Sequence, residues 1–116
     1  MMQKDKFRLD KKVIVITGAA GLLGKQHAEA VASYGGIPIL IDLSENNVKK
    51  LADNLNDKFK TNSIGFSVDI TSENQIKDNV AEIIERFGKV DGLINNAANN
   101  PKVEKDKDNN FTRLEN

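Results

Sequence analysis

Four short apolar runs alternate along the chain with longer segments whose apolar residues recur at helical spacing. The apolar runs occupy residues 13–17, 37–42, 64–69 and 90–95. They are of strand length and rich in β-branched residues, which is typical of parallel strands buried on both faces. The pattern predicts an α/β fold with four parallel strands and a helix in each connection.

Each intervening segment carries one apolar stripe. The stripes are Leu23, His27, Val31 and Tyr34 in the first, Val48, Leu51, Ala52, Leu55 and Phe59 in the second, and Ile76, Val80, Ile83, Ile84 and Phe87 in the third. Ser72 with Gln75 three residues later predicts a capping box at the start of the third helix, and Gly88 predicts its end. We expect His27 and Tyr34 to be packing residues.

The order of the elements predicts the topology. Right-handed crossovers between successive strands give a Rossmann-like, doubly wound parallel sheet in the strand order 3-2-1-4. Ligands of such sheets bind beyond the carboxyl ends of the strands, where the strand order reverses. The sequence therefore predicts a site at the ends of the first and fourth strands.

Three glycines lie between the first strand and the first helix, at Gly18, Gly21 and Gly24. A triphosphate-binding P-loop needs a Gly-Lys pair after four intervening residues and then a hydroxyl residue, but five residues separate Gly18 from Gly24, and Gln26 stands where the hydroxyl belongs. The spacing Gly-x-x-Gly-x-x-Gly is instead related to the dinucleotide fingerprint, with the middle glycine moved one place.

The glycine turn, residues 18–24, is expected to bind a pyrophosphate. Gly18 permits a tight turn after the strand, and Gly24 allows the helix to pack closely on the sheet. Unpaired N–H groups of this turn, which includes Gly21, Leu22 and Leu23, and the helix dipole supply the attraction for the anion. The alternative is a glycine-rich turn that binds no ligand.

Two acidic residues follow the next strands. Asp42 stands 18 residues after Gly24, where it can accept hydrogen bonds from both adenosine-ribose hydroxyls and would repel a 2′-phosphate. Position 43 is leucine and the turn contains no basic residue, so NAD is preferred over NADP. Asp69 can accept from the adenine amino group, with Ile70 offering its backbone. The alternatives are a helix-flanking acid at Asp42 and a helix cap at Asp69.

Four motifs in one order resemble the cofactor-binding half of a short-chain dehydrogenase/reductase. They are TGAAGLLG (17–24), Asp42, DIT (69–71) and INNAA (94–98), and the resemblance covers residues 11–98. It implies that the Asn-Asn-Ala turn at Asn95, Asn96 and Ala97 ties the strands together beside the cofactor.

The glycine spacing departs from the classical branch of that family, whose middle glycine falls where this chain has Leu22. The spacing resembles the extended branch, which includes sugar-nucleotide epimerases, whereas NNAA resembles the classical branch. We therefore expect a classical-like member with an atypical glycine turn.

The resemblance also implies hydride transfer between a nicotinamide cofactor and an alcohol or carbonyl substrate. The family's serine and Tyr-x-x-x-Lys have no counterpart in the 116 residues, so no catalytic residue is assigned and the chain alone is expected to be inactive. Residues 99–116 are expected to form a loop that leads to a missing C-terminal half, which would complete the substrate site and a homo-oligomer. NNAANNPK is similar to bacterial members that modify surface sugars or flagellin, which suggests a sugar derivative as substrate.

Two other functions stay open on the same architecture. One is a non-catalytic dinucleotide-binding or sensor module that is complete as it stands. The other is an S-adenosylmethionine-binding domain, which also uses a glycine-rich first turn and an acid after the second strand. The third glycine and the Asn-Asn-Ala turn argue against S-adenosylmethionine.

Composition narrows the function classes further. Seventeen basic and seventeen acidic residues give a net charge of zero, which does not favour nucleic-acid binding. The absence of cysteine excludes disulfides and thiolate metal sites, and no metal site is predicted. No apolar run approaches the length of a membrane span. We expect one dinucleotide-binding unit over residues 1–116, with a polar arm at 1–10, in the cytoplasm.

Overall fold

The structure, a computed structural model, describes residues 8–97. The elements in chain order are β1 (Val13–Thr17), α1 (Leu22–Ser33), β2 (Ile37–Asp42), α2 (Glu45–Phe59), β3 (Ile64–Ser67), α3 (Glu73–Phe87) and β4 (Gly92–Asn95). The predicted loop at 99–116 and most of the predicted arm at 1–10 lie outside the described residues. Of the arm, Leu9 packs against the core and donates its N–H to the carbonyl of Tyr34 at 2.7 Å.

The four strands form one parallel sheet in the order β3-β2-β1-β4, as predicted. Val15 in β1 lies opposite Ile39 in β2 and Leu93 in β4. The chain moves outward from β1 to β3 on one side and returns to β4 on the other. The strand order therefore reverses at β1, and the carboxyl ends of β1 and β4 flank the switch point.

The sheet separates two core layers. The layer beneath α1 and α2 includes Ile16, Ala28, Leu40, Val48 and Leu55. The layer beneath α3 consists of Val13, Ile39, Ile41, Val68 and Ile83. Alternate residues of β1 and β2 thus face opposite layers, which explains why these strands are apolar without interruption.

The face that the first helix buries agrees with the predicted one at Val31 and Gly24 but not at Leu23. Its buried residues are Gly24, Ala28, Val31 and Ala32, whereas Leu23 is 57% exposed. Small residues let the helix backbone approach the sheet closely, so the glycine and alanine positions, rather than the larger side chains, define the contact face. His27 is half-buried beside this face, and Tyr34 is the residue at which the helix ends.

The predicted capping box of α3 forms only in half. Ser72 Oγ accepts from the N–H of Gln75 at 3.3 Å, as predicted, and Gly88 ends the helix in the left-handed conformation. The Gln75 side chain, however, accepts from the N–H of Asp69 at 2.8 Å instead of that of Ser72. The reason is that the Ser72 N–H already donates to the carbonyl of Asp69 at 2.9 Å.

Two strands are shorter than predicted. β3 ends at Ser67 rather than at residue 69, and β4 begins at Gly92 rather than at residue 90. Before β4, the Asp91 carboxylate accepts from the N–H of Val13 at 2.8 Å, so a side chain takes part in the pairing at that point. This hydrogen bond and the ammonium of Lys89 lower the pKa of Asp91.

The apolar stripe of α3 is only partly covered. Ile83 is buried, but Ile76, Val80 and Ile84 are between 39% and 48% exposed. Together with β1 and β4 they line an apolar groove of about 510 Å³, here called the α3–β4 groove. Leu93 of β4, which is 63% exposed, lines the same groove.

Candidate functional site

The carboxyl ends of β1, β2 and β4 meet at one edge of the sheet, where α1 begins. Gly18 follows β1 with a φ of +65°, and a Cβ at this position would lie 2.8 Å from the Cα of Ala97. A side chain at Gly18 is therefore excluded both by backbone conformation and by space. The glycine turn consequently lies directly against the turn that follows β4.

The hydroxyl of Thr17 joins these two turns. It donates to Asn95 Oδ1 at 2.9 Å and accepts from the N–H groups of Asn96 and Ala97 at 3.0 and 3.1 Å. Asn96 Nδ2 adds a hydrogen bond to the carbonyl of Gly18 at 3.3 Å. Thr17 lies within one of the sequence motifs, but no role could be predicted for it. Nothing in the sequence around a threonine at a strand end indicates hydrogen bonds to three residues far away in the chain.

Gly24 and Gly21 differ in the space that is available for a side chain. A Cβ on Gly24 would overlap the carbonyl oxygen of Gly18 and would lie 2.7 Å from the Cα of Ala19. A Cβ on Gly21 would meet only the carbonyl oxygen of Gly18, at an ordinary 3.5 Å. The packing of the protein thus requires glycine at position 24 but not at position 21, where the space beside the backbone is open.

The beginning of α1 is left without a cap. Gly21 has no side chain to cap it and the first turn has no acidic residue, whereas α2 begins with Ser44 and Glu45 and α3 with Ser72 and Glu73. Within residues 8–97, the N–H groups of Leu22, Leu23 and Gly24 have no acceptor. Free N–H groups at the positive end of a helix dipole are suited to bind an anion.

Asp42 lies beside this helix end. Its Oδ2 accepts from the N–H of Ala20 at 2.9 Å, and its Oδ1 accepts from the N–H of Leu43 at 2.7 Å. A carboxylate has about four acceptor positions, so each oxygen can accept one further hydrogen bond. The carboxylate is thereby held at the edge of the glycine turn with capacity to bind hydroxyl groups.

Asp69 and Ile70 lie at the same edge but beyond β2. Asp69 does not end its strand: Val68 donates the last backbone hydrogen bond, to the carbonyl of Asp42 at 2.9 Å, and the chain then turns. Asp69 Oδ1 accepts from the N–H and the hydroxyl of Thr71 at 2.9 and 2.6 Å, which lowers the pKa of Asp69. The residue thus leads the chain into α3, and Ile70 is 41% exposed in the α3–β4 groove.

The structure brings most of the predicted site residues to one edge of the sheet. Around the end of β1 lie Gly18, Gly21, Leu22, Leu23, Gly24, Asp42, Asn95 and Ala97. Within residues 8–97 no cluster of histidine and carboxylate side chains could hold a metal ion, and none of the helices has the length and apolar character that a membrane span needs.

The parallel sheet, the glycine turn and the threonine-bridged turn after β4 define a Rossmann-like α/β protein. The chain belongs to the short-chain dehydrogenase family, because the family model described as short chain dehydrogenase matches residues 12–115.

Individual relatives agree with this assignment. The chain is 32% identical over 89 residues to the post-translational flagellin modification protein A of Campylobacter coli, a match that covers 77% of this chain and 35% of that protein. It superimposes with a TM-score of 0.76 and 28% identity on L-sorbose reductase from Gluconobacter frateurii in complex with NADPH and L-sorbose, covering 79% of this chain and 35% of that one. It superimposes on NAD+-bound xylitol dehydrogenase with a TM-score of 0.74 and 30% identity, covering 78% of this chain and 35% of that one. The chain spans about 35% of the length of these relatives.

Proposed function

We propose that this chain is the cofactor-binding part of a nicotinamide-dependent oxidoreductase. The observation that carries the proposal is the uncapped beginning of α1 directly beside Asp42. A dinucleotide has an anionic pyrophosphate and a ribose with two vicinal hydroxyls, which match these two features. When bound, the nicotinamide supplies the hydride chemistry, and this chain supplies placement.

The pyrophosphate is assigned to the N–H groups of Leu22, Leu23 and Gly24 and to the open space beside Gly21. These groups lack acceptors within the described part of the chain, so binding an anion would satisfy them without breaking a hydrogen bond. Gly18 and Gly24 act indirectly, because Gly18 lets the turn lie against Ala97 and Gly24 lets the beginning of α1 pack against Gly18 and Ala19.

The remaining assignments are to the two ends of the cofactor. We assign the adenine to the edge beside Asp69 and Ile70, where Asp69 Oδ2 has no hydrogen-bond partner within residues 8–97 and Ile70 is exposed. The nicotinamide end is assigned to the turn of Asn95 and Ala97, which Thr17 fixes.

Asp42 is proposed to favour NAD over NADP. A carboxylate at this position repels a 2′-phosphate and accepts hydrogen bonds from the free hydroxyls. The solved relatives include an NADPH complex and an NAD+ complex, so the choice depends on this chain's own residues. Leu43 and Ala20, which flank Asp42, offer no cation to a 2′-phosphate.

The substitution Asp42→Ala is expected to abolish the discrimination between NAD and NADP. Loss of a charged hydrogen-bond acceptor costs NAD about 1–3 kcal/mol of binding free energy, while NADP is relieved of repulsion. Calorimetric titration of both cofactors into both proteins measures the ratio of affinities. An unchanged ratio would show that Asp42 has no part in cofactor choice.

The substrate is proposed to be an alcohol or carbonyl compound, of which a sugar derivative is the favoured class. Support comes from the flagellin modification relative and from the sorbose and xylitol enzymes among the solved structures. Because the chain spans only about 35% of those proteins, the substrate-binding residues are assigned to the remainder of a longer protein.

The 116-residue chain alone is expected to show no dehydrogenase turnover. Its one tyrosine, Tyr34, is at the end of α1, and the position four residues later is Pro38 instead of lysine. Formation of NADH in the presence of polyols and sugar alcohols, followed by absorbance, checks this expectation. Measurable turnover by the pure chain would contradict it.

The chain is also proposed to self-associate through β4. Within the described residues β4 pairs only with β1, so its outer edge offers unpaired backbone groups next to the exposed side chain of Leu93. Leu93→Lys is expected to convert a concentration-dependent dimer or larger species into a monomer in sedimentation experiments. The control is Asn54→Lys, which places the same charge on the exposed side of α2. A wild-type chain that stays monomeric at high concentration would refute the proposal.

A further inference from the structure

Three successive backbone N–H groups in the first part of the glycine turn have hydrogen-bond acceptors. One of these hydrogen bonds lies within the turn, from the N–H of Gly21 to the carbonyl of Gly18 at 3.2 Å. The other two run to the end of β2: the Ala19 N–H donates to the carbonyl of Ile41 at 3.1 Å, and the Ala20 N–H donates to Asp42 Oδ2 at 2.9 Å. Asp42 is thus the only side chain among the described residues that holds the backbone of this turn from the side of β2.

We infer that Asp42 is a positioning residue for the phosphate-binding turn, in addition to the ribose contact assigned to it above. The inference rests on the proposed function, since it deepens the description of the same site. Ala20 occupies the third position of the turn that begins at Gly18, and its N–H has no other acceptor within residues 8–97. A bond from an amide to an ionised carboxylate is roughly twice as strong as one between neutral groups.

The two tasks of Asp42 are compatible. Oδ2 accepts from Ala20 and Oδ1 from Leu43, and each oxygen keeps a free acceptor position for a hydroxyl. Ribose binding therefore need not break the hydrogen bond that orders the turn. One carboxylate then binds the ribose and also orders the turn that binds the phosphates. Its loss should therefore lower the affinity even for ligands that carry no ribose hydroxyl.

The test compares ADP with 2′,3′-dideoxy-ADP on the wild-type chain and on Asp42→Ala. If Asp42 contacts only the ribose, dideoxy-ADP binds Asp42→Ala at least as tightly as it binds the wild-type chain. We expect instead that Asp42→Ala lowers the affinity for dideoxy-ADP by about 3- to 10-fold, the range of a lost hydrogen bond. Removing a negative charge by itself would raise the affinity for an anion, so a fall cannot come from simple electrostatics. Asp57→Ala, an exposed aspartate of α2, is the control for charge.

A second measurement uses the unliganded chain and so does not depend on cofactor binding. Amide hydrogen exchange at Ala20 is expected to accelerate in Asp42→Ala, while exchange at Leu40 in the centre of β2 stays unchanged. A general loss of stability would accelerate both. Asp42→Asn keeps the shape of the side chain but has a single oxygen, so exchange should rise at Ala20 or at Leu43.

The possible results distinguish a failure of the proposed function from a failure of the positioning role of Asp42. If ADP and NAD fail to bind the wild-type chain, the proposed function is wrong, and the exchange measurement still decides the role of Asp42 in the turn. If dideoxy-ADP binds Asp42→Ala as well as wild type and exchange at Ala20 does not change, the positioning role is overturned.

Discussion

Replacement of Gly24 by alanine is expected to destabilise the protein by about 3 kcal/mol or more, at the upper end of the cost of overpacking. The direction is opposite to helix propensity, which favours alanine over glycine by about 1 kcal/mol. The reason is the contact of α1 with the turn: a Cβ would overlap the carbonyl oxygen of Gly18 and lie 2.7 Å from the Cα of Ala19. Backbone atoms cannot move aside as a flexible side chain can.

Gly21→Ala is the matched comparison in the same turn. Its Cβ would meet only one atom, at 3.5 Å, so the unfolding free energy should stay within about 0.5 kcal/mol of wild type. Binding of NAD should nevertheless weaken, because the methyl group enters the space assigned to the pyrophosphate. Urea unfolding and calorimetry measure the two effects. A stable Gly24→Ala protein would refute the packing argument, and undiminished NAD binding by Gly21→Ala would remove Gly21 from the site.

Thr17→Val is expected to destabilise the protein by about 2 kcal/mol, because two half-buried N–H groups and one exposed side-chain oxygen lose their partner without a replacement. The groups are the N–H of Asn96, the N–H of Ala97 and the side-chain oxygen of Asn95, all of which bond to the Thr17 hydroxyl. Valine matches threonine in shape and in strand propensity, so the change isolates the hydroxyl.

Thr17→Ser is the control, since it keeps the hydroxyl and loses only a methyl group. Urea unfolding of the three proteins should give serine a stability close to that of wild type and valine a clearly lower one. Equal stabilities of the valine and threonine proteins would mean that solvent replaces these hydrogen bonds at no cost.

The sheet could be predicted from the sequence because its determinants are local. Continuous β-branched runs mark strands covered on both faces, and right-handed crossovers leave few strand orders. The end of β3 and the beginning of β4 could not be predicted, because tertiary side-chain hydrogen bonds decide them. Asp91 pairs with Val13, which is far away in sequence, and Asp69 is drawn into a turn by Thr71.

The buried face of α1 was predicted only in part, at Val31 and Gly24, for a related reason. A stripe of large apolar residues normally marks the contact face, but here the contact distance is set by Gly24 and Ala28, which let the backbone approach. The stripe of α3 shows the converse case. Ile76 and Val80 have the spacing of a buried face, yet no described element covers them.

The candidate site could be predicted only in part. Spacing alone located the glycine turn and Asp42, because the fingerprint requires small residues and an acid at fixed separations. It could not reveal the Thr17 hydroxyl as a bridge or the bond from Ala20 to Asp42. Both depend on the register that sets Thr17 opposite Asn95 and Ile41, which only the assembled sheet defines.

The central claim, that a dinucleotide binds at the uncapped beginning of α1, is tested most directly by titrating NAD into the chain and following backbone amide resonances. We expect saturable shifts concentrated at Leu22, Leu23 and Gly24. The dissociation constant should be no tighter than about 100 μM, because this chain offers only part of the contacts that a complete site makes. Absence of saturable shifts at millimolar NAD, or shifts confined to residues away from this turn, would contradict the account.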